Sequence, residues 1–210
     1  MAIESLVTFI IATTLLSLAP GPDNVFVLTQ SALYGKRSGV LITLGLSTGL
    51  IVHTTAVAFG VAAIFQTSVI AFTALKMVGA IYLLYLAWQA FRASASQLET
   101  PKSNLRSGWA LYRRGIIMNI TNPKVSIFFL AFLPQFASPT QGPLAPQIFI
   151  LGGVFISVSL VIFSAIAVLA GTLGGWLNNS PKAQLYLNRV AGVVFACLAF
   201  KLATASTQLD

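Results

Sequence analysis

The sequence predicts an all-α integral membrane protein with six transmembrane helices, arranged as two inverted three-helix repeats, in which helices one and four are broken by proline. Three observations carry this expectation: a scarcity of charge, six apolar segments of spanning length, and proline at matching places in two of them. Of the 210 residues, 57% are apolar and 8% charged, against about 25% charged in ordinary soluble domains. A soluble fold of this size is thereby excluded.

A bilayer core of about 30 Å takes roughly 20 mainly apolar helical residues. Segments of that kind run over 4–33, 39–64, 69–91, 114–136, 146–174 and 184–205. The first is interrupted at Pro20-Gly21-Pro22 and the fourth at Asn122-Pro123. No Lys or Arg precedes the first segment, and its one cleavage-like tripeptide, Ser17-Leu18-Ala19, runs into Pro20. It is therefore expected to be a retained span and not a signal peptide.

The formal net charge of +8 raises the question of nucleic acid, and the distribution answers it. Between Lys124 and Lys182 lie 57 residues without a charge, a pattern foreign to nucleic-acid binders. Nine of the basic residues fall in alternate connections: Lys36 and Arg37, then Arg92, Lys102, Arg106, Arg113 and Arg114, then Lys182 and Arg189. The positive-inside rule makes these connections cytoplasmic, so both termini face outward. The opposite connections, around Gln66-Thr67-Ser68 and from Ser138 to Gln147, carry no charge. The polar stretch 92–113 then reads as a cytoplasmic linker between a first membrane half, 1–91, and a second, 114–210.

An internal repeat supports two halves. Lys76, Gly79 and Tyr82 in the third span recur as Arg189, Gly192 and Phe195 in the sixth, 113 residues on. Ala19-Pro20-Gly21-Pro22-Asp23-Asn24 in the first span has its counterpart in Asn119-Ile-Thr-Asn122-Pro123-Lys124 in the fourth. Three crossings per half put the second half upside down, and broken helices in corresponding places of inverted halves point to a transporter binding site near the midplane.

Proline lacks an N–H and clashes with the carbonyl one turn back, so Pro20, Gly21 and Pro22 should open the first helix. Backbone freed in this way persists at membrane depth only where protein buries it or water lines it. The helix restarting after the break offers N-terminal amides and a dipole to a carboxylate. Pro123 repeats the device in the fourth span.

Asp23 is the sharpest residue in the chain. Of the four acids, Glu4 lies at the outer mouth, Glu99 in the linker and Asp210 at the end, which leaves Asp23 as the one carboxylate inside a span. An intramembrane acid is a functional residue until shown otherwise, and a coupling proton carried by a carboxylate would sit here; an N-cap or an ion pair with Lys124 is the structural alternative. Lys124 is too deep for either headgroup layer and is expected to pair with Asp23 or with a substrate carboxylate. Lys76 either joins the site or snorkels outward. His53, near the middle of span two, has a side chain suited to proton work, although a lone histidine there is more often packed and hydrogen-bonded. Asn24, Asn119 and Asn122 would orient a small polar solute, with Gln30 a weaker member of the set.

Gly45-Leu-Ser-Thr-Gly49 and Gly171-Thr-Leu-Gly-Gly175 permit close helix approach, first of all within the monomer, with a homodimer seam left open. Tyr82, Tyr85, Trp88 and Phe91 read as an interfacial aromatic belt. Cys197 is the single cysteine, so neither an internal disulfide nor a multi-thiolate metal site can form. With one His and one intramembrane acid besides, a divalent-metal efflux protein finds few ligands. No motif supports an intramembrane enzyme, and the Gly-x-x-x-x-Gly-Lys-Ser/Thr phosphate loop is absent. No cofactor is called for.

At these residues the chain resembles the LysE/RhtB family of bacterial amino-acid exporters over essentially its whole length. The resemblance rests on Ala19-Pro20-Gly21-Pro22-Asp23-Asn24, on Lys76-x-x-Gly79-x-x-Tyr82-Leu83 with Ala87-Trp88, and on Asn119 with Asn122-Pro123-Lys124 followed by Phe132-Leu133-Pro134-Gln135-Phe136. It implies a multi-pass protein of the bacterial cytoplasmic (inner) membrane, both termini periplasmic, that exports amino acids in exchange for protons. Family substrates include basic amino acids in one branch and threonine, homoserine, homoserine lactone or leucine in others. The single intramembrane acid favours neutral substrates over basic ones. The expected mechanism binds the substrate carboxylate at the helix restart with Lys124 or Lys76, and its ammonium at Asp23 and the asparagine oxygens.

Overall fold

The computed structural model describes residues 3–61, 69–94, 107–178 and 180–204, and all regular elements among them are helical. Helix α1 spans Ile3–Leu18, α2 Pro22–Tyr34, α3 Lys36–Ala56, α4 Val69–Arg92, α5 Gly108–Thr121, α6 Pro123–Ile127, α7 Leu144–Asn178 and α8 Pro181–Thr204. Four of these, α3, α4, α7 and α8, are long and apolar enough to cross a membrane. The pair α1–α2 bends by 56° and the pair beginning with α5 and α6 by 51°, so counting each bent pair as one span brings the number to six. The connection around Gln66-Thr67-Ser68 and most of the expected linker, including Glu99, Lys102 and Arg106, lie outside the described residues.

Each bend sits on the residues that impose it. Gly21 is extended, at φ −172°, and Pro22 opens α2 at its first position, where a missing N–H costs nothing. Asn122 is likewise extended; its side-chain Oδ1 accepts from the Lys124 N–H at 3.0 Å, capping the restart that Pro123 opens. The fourth span starts at Gly108, six residues before the expected 114, because Arg113 and Arg114 lie on the helix and do not end it. Beyond α6 the chain loosens and then tightens: a π-turn at Phe128–Phe132, then a 3-10 turn at Leu133–Phe136. Gly35, at φ 85°, reverses the chain between α2 and α3 in a conformation that only glycine adopts cheaply.

The helices pack α3 on α5, α4 on α8, and α7 across α2 and α3. Gly45 explains the first contact: a Cβ there would strike the Tyr112 carbonyl and come within 3.1 Å of the Gly115 Cα. The Gly45–Gly49 motif therefore packs within the monomer, while the surroundings of Gly171–Gly175 lie outside the described side chains. Helices α4 and α8 run antiparallel. Gly79 of α4 faces Leu202 near the end of α8, and Gly192 of α8 faces the Phe91 ring near the end of α4.

The larger core gathers Phe9, Phe128, Phe129, Phe132 and Phe155 with Leu83 and Leu198, and a smaller one forms around Phe26, Ile42, Leu46 and Phe163. The outer surface is apolar as well, with Ile70 at 83% and Phe200 at 72% exposure. Such a surface would aggregate in water and is at home in hydrocarbon.

Candidate functional site

The end of α1 leaves backbone carbonyls that no helical N–H can reach, and side chains of the neighbouring breaks satisfy them. Lys124 Nζ donates to the carbonyls of Leu16 at 3.3 Å and Ala19 at 3.1 Å. Asn24 Nδ2 donates to the carbonyl of Ser17 at 2.6 Å. The Ser17 hydroxyl in turn meets that of Ser159 on α7 at 3.0 Å. The two broken segments are thus clasped directly to one another.

A second link runs through Asn119. Its Nδ2 donates to Asp23 Oδ2 at 3.4 Å, and its backbone carbonyl accepts from His53 Nε2 at 3.2 Å. A carbonyl can only accept, so this bond places the imidazole proton on Nε2. The His53 ring also packs 5.5 Å from that of Phe129. The packed, hydrogen-bonded histidine is what the geometry contains.

Asp23, Asn24, Asn119, Asn122 and Lys124 are all buried, between 2% and 9% exposed. The direct ion pair between Lys124 and Asp23 is not formed, since the ammonium turns to the α1 carbonyls instead. Four buried atoms of these residues remain without a hydrogen-bond partner in the protein: Asp23 Oδ1, Asn24 Oδ1, Asn119 Oδ1 and Asn122 Nδ2. Buried polar groups are rarely left so. Three unmatched acceptors, one of them a carboxylate oxygen, make a set that complements an ammonium group.

Two cavities meet at Lys124. One, of about 320 Å³, extends from Gly21 and Pro123 along Tyr82 and Gln89 of α4 and Asn188 and Phe195 of α8. The other is a small interior space of about 20 Å³ bordered by Asp23, Asn119, Ser17 and Ser159, room for about one water. The larger is open enough for a small amino acid, and the smaller holds the carboxylate beyond it. Lys124 forms the partition between them.

Several expectations are revised by these positions. Lys76 is 6% exposed and covered by protein, so it does not snorkel to the surface, yet it borders neither cavity. Tyr82 lines the larger cavity and leaves the aromatic belt to Tyr85 and Trp88. Phe195, which the sequence pattern sets against Tyr82, lines the same cavity. Gln89 and Asn188 were not singled out by sequence. The larger cavity is walled by α4 and α8, the third and sixth spans. Among the described residues, no three His, Cys, Asp or Glu side chains come together as a metal-ligand set.

An all-helical membrane chain with two proline-broken spans meeting at buried polar groups defines a multi-pass translocator class. Residues 14–206 match the LysE type translocator family, and the chain belongs to that family. It is 36% identical over 205 residues to the homoserine/homoserine lactone efflux protein of Salmonella typhimurium, covering 98% of each chain. It is 33% identical to an uncharacterized membrane protein of Vibrio cholerae, over 98% of this chain and 99% of that one. An uncharacterized membrane protein of Bacillus subtilis is 28% identical over 94% of this chain and 98% of its own. No solved structure matches the chain.

Proposed function

We propose that the chain is a secondary transporter that exports neutral amino acids or close derivatives from the bacterial cytoplasm by proton antiport, with homoserine and homoserine lactone first among threonine, leucine and their like. The observation that carries the reading is the juxtaposition at the breaks of a buried ammonium, Lys124, with a buried carboxylate, Asp23, whose Oδ1 is unmatched. Homoserine and other α-amino acids present the complementary pair, and the lactone presents the ammonium with an ester carbonyl in place of the carboxylate. The full-length relationship to the Salmonella efflux protein supports the choice of substrate class.

In this mechanism the substrate enters the 320 Å³ cavity from the side of Gln89 and Asn188. Its carboxylate meets Lys124 and the free amides at the start of α2. Its ammonium meets Asp23 together with Asn24 and Asn119. A proton arriving from outside neutralises Asp23, weakens the ammonium contact and favours release. His53, bonded to the same Asn119 that holds Asp23, is the second proton-handling residue of the proposal.

The two halves are proposed to be inverted repeats that rock about this site. Reciprocal contacts of Gly79 with Leu202 and of Gly192 with Phe91 support a two-fold relation between α4 and α8. With the basic connections cytoplasmic, the larger cavity belongs to the cytoplasmic side and the termini to the periplasm. The phenylalanine layer of Phe128, Phe132 and Phe9 then closes the outward route, so the conformation described is inward-facing.

Efflux of a labelled amino-acid panel from proteoliposomes, with and without an imposed proton gradient, tests the reading. Gradient-stimulated flux of one or a few neutral amino acids is expected. Flux of basic amino acids alone, or flux of a divalent metal ion alone, would replace it.

A further inference from the structure

At the far end of α8, on the face opposite the basic connections, lies a third cavity of about 300 Å³. Its floor is Phe136 and Leu202, which are buried, and its polar walls are Glu4, Thr8, Gln135 and Lys201. We propose that this cavity is an exit site for a zwitterionic α-amino acid, with Lys201 receiving the carboxylate and Glu4 the ammonium. The inference rests on the amino-acid efflux reading above.

Charge and position both point this way. Glu4 and Lys201 carry opposite charges across one small cavity, and they form no ion pair with each other. Lys201 Nζ instead sits 4.8 Å from the centre of the Phe136 ring, an arrangement that holds the ammonium at the wall without neutralising it. Gln135 spends its Nε2 on the Ala131 carbonyl at 3.3 Å, which leaves its oxygen free to accept. The Thr8 hydroxyl donates to the Glu4 carbonyl at 2.8 Å and tethers the turn that carries the acid.

The same two elements line this cavity and the inner one. On α8, Phe195 faces inward and Lys201 outward, six residues apart, or about 9 Å along the axis. On the segment after the second break, Lys124 faces the inner cavity and Gln135 the outer. Between them lies the π-turn Phe128–Phe132, a form of helix frequent at functional sites. A solute leaving the inner cavity along α8 thus passes one apolar layer and meets a second charge pair of the same composition as the first.

The test is exchange in oriented proteoliposomes, with the half-saturation constant measured separately for substrate on the two sides. Lys201→Gln is expected to raise the outer-side constant for homoserine by about fivefold, as loss of an exposed charge contact would, and to raise it more than the inner-side constant. Homoserine lactone lacks a carboxylate and should show no such shift. Glu4→Gln should raise the outer-side constant for both solutes, and Lys201→Arg should restore that for homoserine. An unchanged constant, an equal shift on both sides, or an equal shift for the lactone in Lys201→Gln overturns the exit site while wild-type exchange leaves the efflux reading intact. Absence of wild-type exchange with either solute removes both.

Discussion

Lys124 Nζ donates to the Ala19 carbonyl across 3.1 Å, so the cation carried by the second broken helix closes the open end of the first. The contact couples the two broken segments where each has lost helical hydrogen bonds. It also holds the ammonium between the substrate-sized cavity and the chamber of Asp23. Movement of either half changes what Lys124 can reach.

Gly21 offers a way to move that ammonium without touching it. A Cβ at Gly21 would lie 3.0 Å from Lys124 Nζ, while its extended backbone accepts any residue. Gly21→Ala is therefore expected to fold and to displace the flexible end of Lys124. Loss of a charge-assisted hydrogen bond is worth about 1.5–3 kcal/mol, so the inner half-saturation constant for homoserine should rise about tenfold or more. Efflux kinetics of the purified variant check this; an unchanged constant would remove Lys124 from the substrate site.

At Gly45 the obstacle is backbone, which cannot swing aside. Gly45→Ala drives a methyl into the Tyr112 carbonyl and the Gly115 Cα, and overpacking of this kind costs about 1–3 kcal/mol. The midpoint of thermal unfolding in detergent should fall for Gly45→Ala and stay near the wild-type value for Gly153→Ala, where a Cβ meets nothing. Equal midpoints would contradict the close α3–α5 approach.

Asn119→Asp tests the charge argument for neutral substrates. The variant places a second carboxylate beside Asp23, in place of the amide whose Nδ2 now lies 3.4 Å from Asp23 Oδ2, and a dicationic solute gains a partner that a neutral one does not need. Competition by lysine against labelled homoserine efflux should strengthen several-fold while homoserine efflux itself weakens. Unchanged competition would show that Asn119 does not face the substrate ammonium.

The helix breaks were legible in the sequence because proline and glycine act on their own backbone, with no help from the rest of the fold. Asp23 was legible for a similar reason, as a charge whose depth follows from counting residues. Tyr82 was not, since a tyrosine leading into Tyr85 and Trp88 on one apolar span reads as an interfacial anchor until the partner helix is known. Gly192 and Phe91 show the same limit: the glycine was visible, but the ring filling its notch belongs to the other half. The π-turn at Phe128–Phe132 has no local marker, because five apolar residues fit an α-turn equally well. Lys124 does lie beside Asp23, but in place of an ion pair its ammonium serves carbonyls whose freedom is a product of the first break. Gln89 and Asn188 face the cavity only through the pairing of α4 with α8, a tertiary fact.

The central claim is that Asp23 couples amino-acid export to proton entry. Homoserine efflux from proteoliposomes, with and without an imposed proton gradient, should be compared for the wild type and Asp23→Asn, together with gradient-free homoserine exchange as a measure of residual binding and movement. The account predicts stimulation by the gradient in the wild type and none in the variant, with exchange still measurable. Equal stimulation in both would contradict it.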